Sequence, residues 1–354
     1  MSTLFDPIKL GAIELRNRVV MAPMTRSRAG EGDAPTALNV EYYRQRAGAG
    51  LIVTEGAQPS KHGKGYCRTP GIYTQEQIAG WKQVTDAVHA EGAAIVLQVM
   101  HCGRVGSRYN KDADAETVAP SAVRAKGQIY TDAVGMADLD EPRALTGAEI
   151  PGVIEEYRQA ALNARAAGFD GVELHVTSGY LPAQFLSTGT NRRADGYGGS
   201  LNNRLRFVIE ALEAMTGAIG ADRVGFRICP GNPFNDLHDD NPQETFSALL
   251  RAASPMKLAY LHAIRSPMKG LDVFAMAREL FRGPLIVNDS FTAASANAAL
   301  AEGSGDVVSF GRPFIANPDL VDRFQRDLPL ANFDLKSLYT PGPAGYTDYP
   351  VYAG

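Results

Sequence analysis

Gly152-Val-Ile-Glu-Glu-Tyr-Arg-Gln-Ala-Ala-Leu-Asn-Ala-Arg-Ala-Ala-Gly168-Phe-Asp-Gly171-Val-Glu-Leu-His175 is one turn of a repeating pattern. Residues 152–167 carry helical periodicity, Gly168 is a natural helix stop, and 171–175 is a short apolar run of the kind a strand buried on both faces requires. Similar runs lie at 18–22, 51–54, 95–98, 224–229, 259–262, 285–288 and 307–310, with helix candidates such as 74–91 between them. Strand alternating with helix indicates an α/β protein with a parallel sheet. Eight such units predict a closed (β/α)8 TIM barrel. The alternative, an open doubly wound sheet, usually shows Gly-x-Gly-x-x-Gly after its first strand. Here that strand is followed by Pro23-Met24-Thr25-Arg26.

Two stretches break the alternation. Residues 4–17 read as a β-hairpin turning at Gly11, suited to plugging the bottom of the barrel. Residues 102–145, after the third strand, are too long for a simple loop, and such segments are commonly lids. No linker divides the chain, so residues 1–354 are read as one domain with 102–145 as a capping insertion. The net charge of −4 offers no broad basic face for nucleic acid or acidic lipid. Residues 1–17 carry no signal peptide pattern, and no run approaches the length of a membrane helix. Cys67, Cys102 and Cys229 form neither a Cys-x-x-Cys pair nor a zinc spacing and suit a reducing cytoplasm. Monomer and homodimer both remain open.

A barrel places its active site on the loops after its strands, and unusual polar residues gather there: Thr25, Gln98, His101, His175, Ser178, Tyr180, Arg227, His262, Asn288, Ser290, Gly311 and Arg312. Each alone could be a locally satisfied loop residue. In His175-Val-Thr-Ser178-Gly-Tyr180, an imidazole able to donate to a developing oxyanion lies near a phenol able to act as a general acid. Neither supplies a hydride, so a redox cofactor is required. Gly311-Arg312 after the last strand suits a terminal phosphate monoester. Arg227 in the barrel mouth needs an anionic or electron-rich partner, either an isoalloxazine edge or a neighbouring Asp or Glu. The set favours FMN over a dinucleotide.

Met21-Ala-Pro-Met-Thr-Arg-Ser-Arg28, Gly63-Lys-Gly-Tyr-Cys-Arg-Thr-Pro-Gly-Ile-Tyr73, Asn191-Arg-Arg-Ala-Asp-Gly-Tyr-Gly-Gly-Ser200, Phe310-Gly-Arg-Pro-Phe-Ile-Ala-Asn-Pro318 and Gly345-Tyr-Thr-Asp-Tyr-Pro350 resemble the signatures of the Old Yellow Enzyme family, in the family's order across nearly the whole chain. The resemblance implies a TIM barrel with tightly bound FMN, NAD(P)H as reductant, and substrates whose alkene is activated by a carbonyl or nitro group. Hydride would come from flavin N5. It also implies roles by position. Thr25 would tune the flavin from beside its carbonyl. Pro23, Met24, Ala57, Gln98 and Arg227 would contact the ring system. Asn288, Ser290, Gly311 and Arg312 would lie at the phosphate end. His175, with Ser178, would bind the activating oxygen, and Tyr180 would protonate the adjacent carbon. Tyr66, Met100 and Tyr346 would line the pocket.

Three positions depart from the pattern. Ser178 stands where the family usually has Asn or His, Met100 where its classical branch often has Trp, and Asn288-Asp289-Ser290 where a Gly-Gly loop is usual. Asp289, a carboxylate close to a phosphate, is expected to point away. These departures keep a second reading in view, reduction of nitro compounds or nitrate esters or a specialised biosynthetic redox step, and a third, a flavin-binding protein without turnover.

Overall fold

The computed structural model describes residues 2–352; residues 1, 353 and 354, the ends of the domain as read from sequence, lie outside the described residues. Strands β1 (Ile8–Leu10) and β2 (Ile13–Leu15) form the N-terminal hairpin. The barrel strands β3 (Val19–Met21), β4 (Leu51–Val53) and β5 (Ala94–Val99) follow. Then come the short β6 (Val118–Ala119), β7 (Gln128–Thr131), β8 (Gly135–Asp138) and β9 (Arg143–Ala144) of the insertion. The barrel is completed by β10 (Gly171–Val176), β11 (Val224–Ile228), β12 (Tyr260–Ile264), β13 (Leu285–Asn288) and β14 (Val307–Phe310). The eight barrel strands are all parallel and close through β14 pairing with β3. The predicted fold class is therefore the observed one, with strand edges displaced by one or two residues.

Helices α1 (Ala37–Gln45), α2 (Gln75–Ala90), α3 (Ile150–Ala166), α4 (Leu181–Leu186), α5 (Leu201–Ile219), α6 (Pro242–Ala253), α7 (Val273–Leu280), α8 (Ala293–Ala301), α9 (Arg312–Ala316) and α10 (Leu320–Gln325) run between and after the barrel strands. Thr36, Thr74 and Thr292 each cap a helix, their hydroxyls accepting a first-turn N–H while the N3 side chain returns the bond. Outward strand residues such as Ile52, Leu97, Leu174 and Phe226 join the helices in the main core.

The inward residues explain where chemistry can sit. Near the strand starts they are apolar: Val20, Leu51, Ala94, Ile286 and Val307 pack with Leu10, Ile13 and Leu15 of the hairpin. The hairpin thus plugs the barrel floor. Gly11 makes its turn at φ +57°, and a Cβ there would lie 2.3 Å from the Asp222 carbonyl, so only glycine fits. Towards the strand ends the inward residues become polar. Glu173 accepts from Gln98 Nε2 at 2.8 Å, and His262 joins the Glu173 carboxylate at 2.8 Å and Ser309 at 2.7 Å.

In the segment 102–145, β7 and β8 form an antiparallel hairpin and β6 pairs with β9. Cys102, Val105, Ala125, Ile129 and Leu139 pack there with Met100 and Tyr180. The C-terminal stretch crosses the same end of the barrel under a clamp of arginines. Arg28 donates to the carbonyls of Ser337, Leu338, Gly342 and Ala344, and Arg26 to those of Leu338 and Gly345. Arg68 reaches the carbonyl of Tyr339 at 2.8 Å and the carboxylate of Asp132 at the hairpin turn. Among the described residues, no helix is long and apolar enough to cross a membrane.

Candidate active site

His175 and Arg227 are paired in register at the ends of β10 and β11, which brings imidazole and guanidinium together at the barrel mouth. Both are buried, at 5% and 8% exposure. Burial, then the neighbouring Arg227 charge, pushes the His175 imidazole down to about 3, so it is neutral at physiological pH. A neutral imidazole keeps one N–H donor, and His175 Nδ1 has no partner among the described residues. Burial also lowers Arg227, while Glu173 works against the shift. One Arg227 nitrogen donates to Asn288 Oδ1 at 2.8 Å, and Nε has no partner. Among the described residues no salt bridge holds Arg227, and Glu173 is occupied by Gln98 and His262. The carboxylate alternative for Arg227 is therefore met only by proximity.

A cleft of about 300 Å³ opens beside Arg227, lined by Pro23, Met24, Asn288, Ser290, Gly311 and Arg312 among others. Asn288 is fixed by donating to the Ser309 carbonyl at 2.9 Å. The Arg312 side chain is exposed and free of hydrogen bonds among the described residues. A buried guanidinium whose Nε lacks a partner at one end and an exposed one without hydrogen bonds among the described residues at the other fit a ligand with an electron-rich ring and a terminal phosphate. Thr25 is half-buried beside Met24, and Ala57 is held to the end of β5 by its N–H on the Gln98 carbonyl at 2.8 Å.

Asp289 is exposed and belongs to the lining of the same cleft, and its carboxylate accepts the Ser290 hydroxyl at 2.9 Å. Asp289 and Ser290 both have positive φ, +121° and +53°. Two successive side chains thus occupy backbone conformations that glycine tolerates best.

Beside His175, whose ring lies 5.0 Å from that of Tyr180, two phenols meet. Tyr180 Oη is 3.1 Å from Tyr66 Oη. Burial pushes Tyr180 well up, and Tyr66 to about 12. Both stay protonated at physiological pH. Met100 is 3% exposed and packed in the cluster of the insertion; it backs this pair rather than opening onto the cleft. Ser178 has φ +59°, and its carbonyl accepts from Asn235 Nδ2 at 2.8 Å.

Tyr346 does not line the pocket. It is fully buried, stacked on Tyr42 at 4.0 Å, with Arg28 over its face and Asn39 donating to its hydroxyl at 3.2 Å. On the C-terminal strap it is the exposed Tyr339 that bears electrostatically on both Tyr66 and Tyr180. Sequence reasoning also passed over Phe234 and Asn235, whose loop closes on Ser178-Gly179: a Cβ on Gly179 would lie 2.8 Å from the Phe234 carbonyl. The one sequence signal for them was their position just after the fifth barrel strand.

Residues 3–331 match the model of the NADH:flavin oxidoreductase / NADH oxidase family. A probable flavin mononucleotide-dependent alkene reductase of Leishmania infantum is 41% identical over 99% of this chain and 98% of its own length. The solved structure of morphinone reductase in complex with tetrahydroNAD superposes with a TM-score of 0.95 at 43% identity, covering 99% of this chain and 98% of that one. The old yellow enzyme homologue from Zymomonas mobilis gives 0.95 at 38%, covering 99% and 100%.

Proposed function

The chain belongs to the NADH:flavin oxidoreductase / NADH oxidase family, among the Old Yellow Enzyme homologues, and from that premise we propose how its residues work. It is an FMN-dependent oxidoreductase that uses a nicotinamide co-substrate and reduces activated C=C bonds. FMN, when bound, supplies the hydride chemistry that no side chain here can provide. The observation that carries this reading is the conjunction of the buried Arg227 with its unpartnered Nε, the Arg312-lined cleft and the His175–Tyr180 pair at one barrel mouth.

In the proposed arrangement Pro23, Met24, Thr25, Ala57, Gln98 and Arg227 hold the ring system. Arg312 and the Gly311 backbone take the phosphate, with Asn288 and Ser290 beside them. His175, neutral, donates its N–H to the substrate's activating oxygen and so stabilises the charge that develops there. Tyr180 gives its phenol proton to the adjacent carbon. Tyr66 and Tyr339 form the wall above, and 102–145 acts as a cap that keeps water from the reacting atoms. The partner is a small activated alkene or nitro compound, with neither nucleic acid nor membrane required. The three buried free thiols favour the cytoplasm.

The test is an anaerobic titration. The purified protein is expected to be yellow, to bleach with NADPH, and to regain colour with an enone. FAD in place of FMN, or a bleached protein that no enone, nitroalkene or nitrate ester reoxidises, overturns the reading. Faster reoxidation by nitro compounds than by any enone would favour nitro reduction instead.

A further inference from the structure

Asn235 lies in the loop after β11 and has no role in the scheme above. Its amide nitrogen carries two N–H groups and has two acceptors within reach. Nδ2 donates to the Ser178 carbonyl at 2.8 Å and to the Tyr66 phenol oxygen at 3.4 Å. A carbonyl oxygen can only accept, so the Ser178 contact fixes which end of the amide faces the site. The group presented to Tyr66 is therefore a donor. The amide is held in place by its backbone. Asn235 has φ +59°, a conformation Asn tolerates. The buried Arg104 grips the carbonyls of Asn235 and Asp236 at 3.2 and 2.6 Å.

In the structure Tyr180 Oη donates to Tyr66 Oη at 3.1 Å, and two hydroxyls at that distance can exchange these roles, reversing the direction of the bond, by rotating their O–H bonds. We propose that Asn235 sets that direction and is thereby a positioning residue for Tyr180, an inference that rests on the reading of Tyr180 as the acid. With Asn235 donating into Tyr66, the Tyr66 hydrogen finds its acceptor in Tyr180, and the Tyr180 hydrogen is left for the substrate. When Tyr180 protonates carbon, a C–H bond forms and the O–H bond breaks. The phenolate keeps the electron pair and accepts from Tyr66, and solvent later returns the proton. The opposite direction aims the Tyr180 hydrogen at Tyr66 and leaves the Tyr66 hydrogen without an acceptor among the described residues. The direction matters because burial raises both phenols: a phenolate here is costly unless a donor meets it.

The experiment is a double-mutant cycle on the FMN-loaded enzyme, reduced anaerobically with one equivalent of NADPH and mixed with 2-cyclohexen-1-one. Asn235→Ala and Tyr66→Phe are each expected to slow reoxidation by about three- to tenfold, the rate equivalent of about one net hydrogen bond. The double variant is expected to be no slower than Tyr66→Phe alone. Multiplied losses would overturn the proposal, because Asn235 would then act through the Ser178 loop. Asn235→Asp exchanges the donor for an acceptor and is expected to be slower than Asn235→Ala; an equal or faster rate also overturns it. Apart from turnover, the Asn235 side-chain amide resonances, identified by their loss in Asn235→Ala, should shift in Tyr66→Phe. Unmoved resonances would show that the 3.4 Å contact carries nothing. Tyr180→Phe tests the premise separately. If that variant reoxidises at the wild-type rate, the acid assignment fails and this inference fails with it.

Discussion

Lowering the pH from 7 to 5 should cost this protein stability through His175, by an amount the structure allows one to work out. In the fold burial pushes its imidazole down to about 3, against 6.5 for an ordinary imidazole. A histidine depressed in this way is neutral when folded but takes up a proton when the chain unfolds in acid. Its contribution is therefore full above about pH 6.5 and shrinks as pH falls towards 3. Between 6.5 and 5 the loss runs at about 1.4 kcal/mol per pH unit, or about 2 kcal/mol in all. The residue is 5% exposed, so solvent screening takes little from this figure. Urea unfolding of the FMN-loaded protein at the two pH values measures the loss. His175→Gln keeps a neutral polar side chain and removes the titration, so about 2 kcal/mol of the pH dependence should disappear. The reasoning is refuted if wild type and variant lose the same stability between pH 7 and pH 5. His101 and His262, also buried and shifted downward, would supply the dependence that remains.

Arg312→Ala should weaken FMN binding by about 1.5–3 kcal/mol, the range for hydrogen bonds to charged groups; unchanged retention on dialysis would place the phosphate elsewhere. Asp289→Gly should raise thermal stability by about 1 kcal/mol, since about 1–3 kcal/mol of left-handed strain is relieved against about 0.4–1 kcal/mol of added chain entropy. The same change removes a carboxylate from the phosphate cleft, so FMN should bind more tightly; a lower melting temperature together with weaker binding would refute both parts. Ser178→Ala should alter enone reduction little, whereas His175→Ala should cost about 10²–10³-fold as a lost oxyanion donor. Ser178→Asn should raise the rate on simple cyclic enones, and stopped-flow reoxidation that ranks the serine with the histidine would make Ser178 a direct ligand.

The barrel was legible because each buried parallel strand must be a short apolar run, and such runs survive in the sequence whatever the loops do. Most residues at the mouth were legible for the related reason that strand ends fix loop positions: His175, Tyr180, Arg227 and Arg312 all fall there. The strap was not. Tyr346 sits in a conspicuous motif, yet its ring is consumed by Tyr42 and Arg28, while Tyr339, in an undistinguished stretch, bears electrostatically on Tyr66 and Tyr180. Only the folded path of the strap decides between them. The turn after the seventh barrel strand was not legible either. Nothing in Asn288-Asp289-Ser290 as a sequence shows that Asp289 and Ser290 both take positive φ. Asn235 was invisible because its importance lies in which amide end faces Tyr66, and composition and spacing carry no such information.

The arginine clamp over the strap has a consequence for how the enzyme can diversify. Arg26, Arg28 and Arg68 grip mainly peptide carbonyls of residues 337–345, groups that every amino acid carries. The path of this segment is thus largely indifferent to its side chains. Residues such as Tyr339 can be exchanged without dislodging the chain that presents them. Substrate preference can then drift by point mutation in the strap while the barrel, the Arg312-lined cleft and Tyr180 stay as they are. A library confined to 338–341 should yield many folded, flavin-loaded variants with altered selectivity.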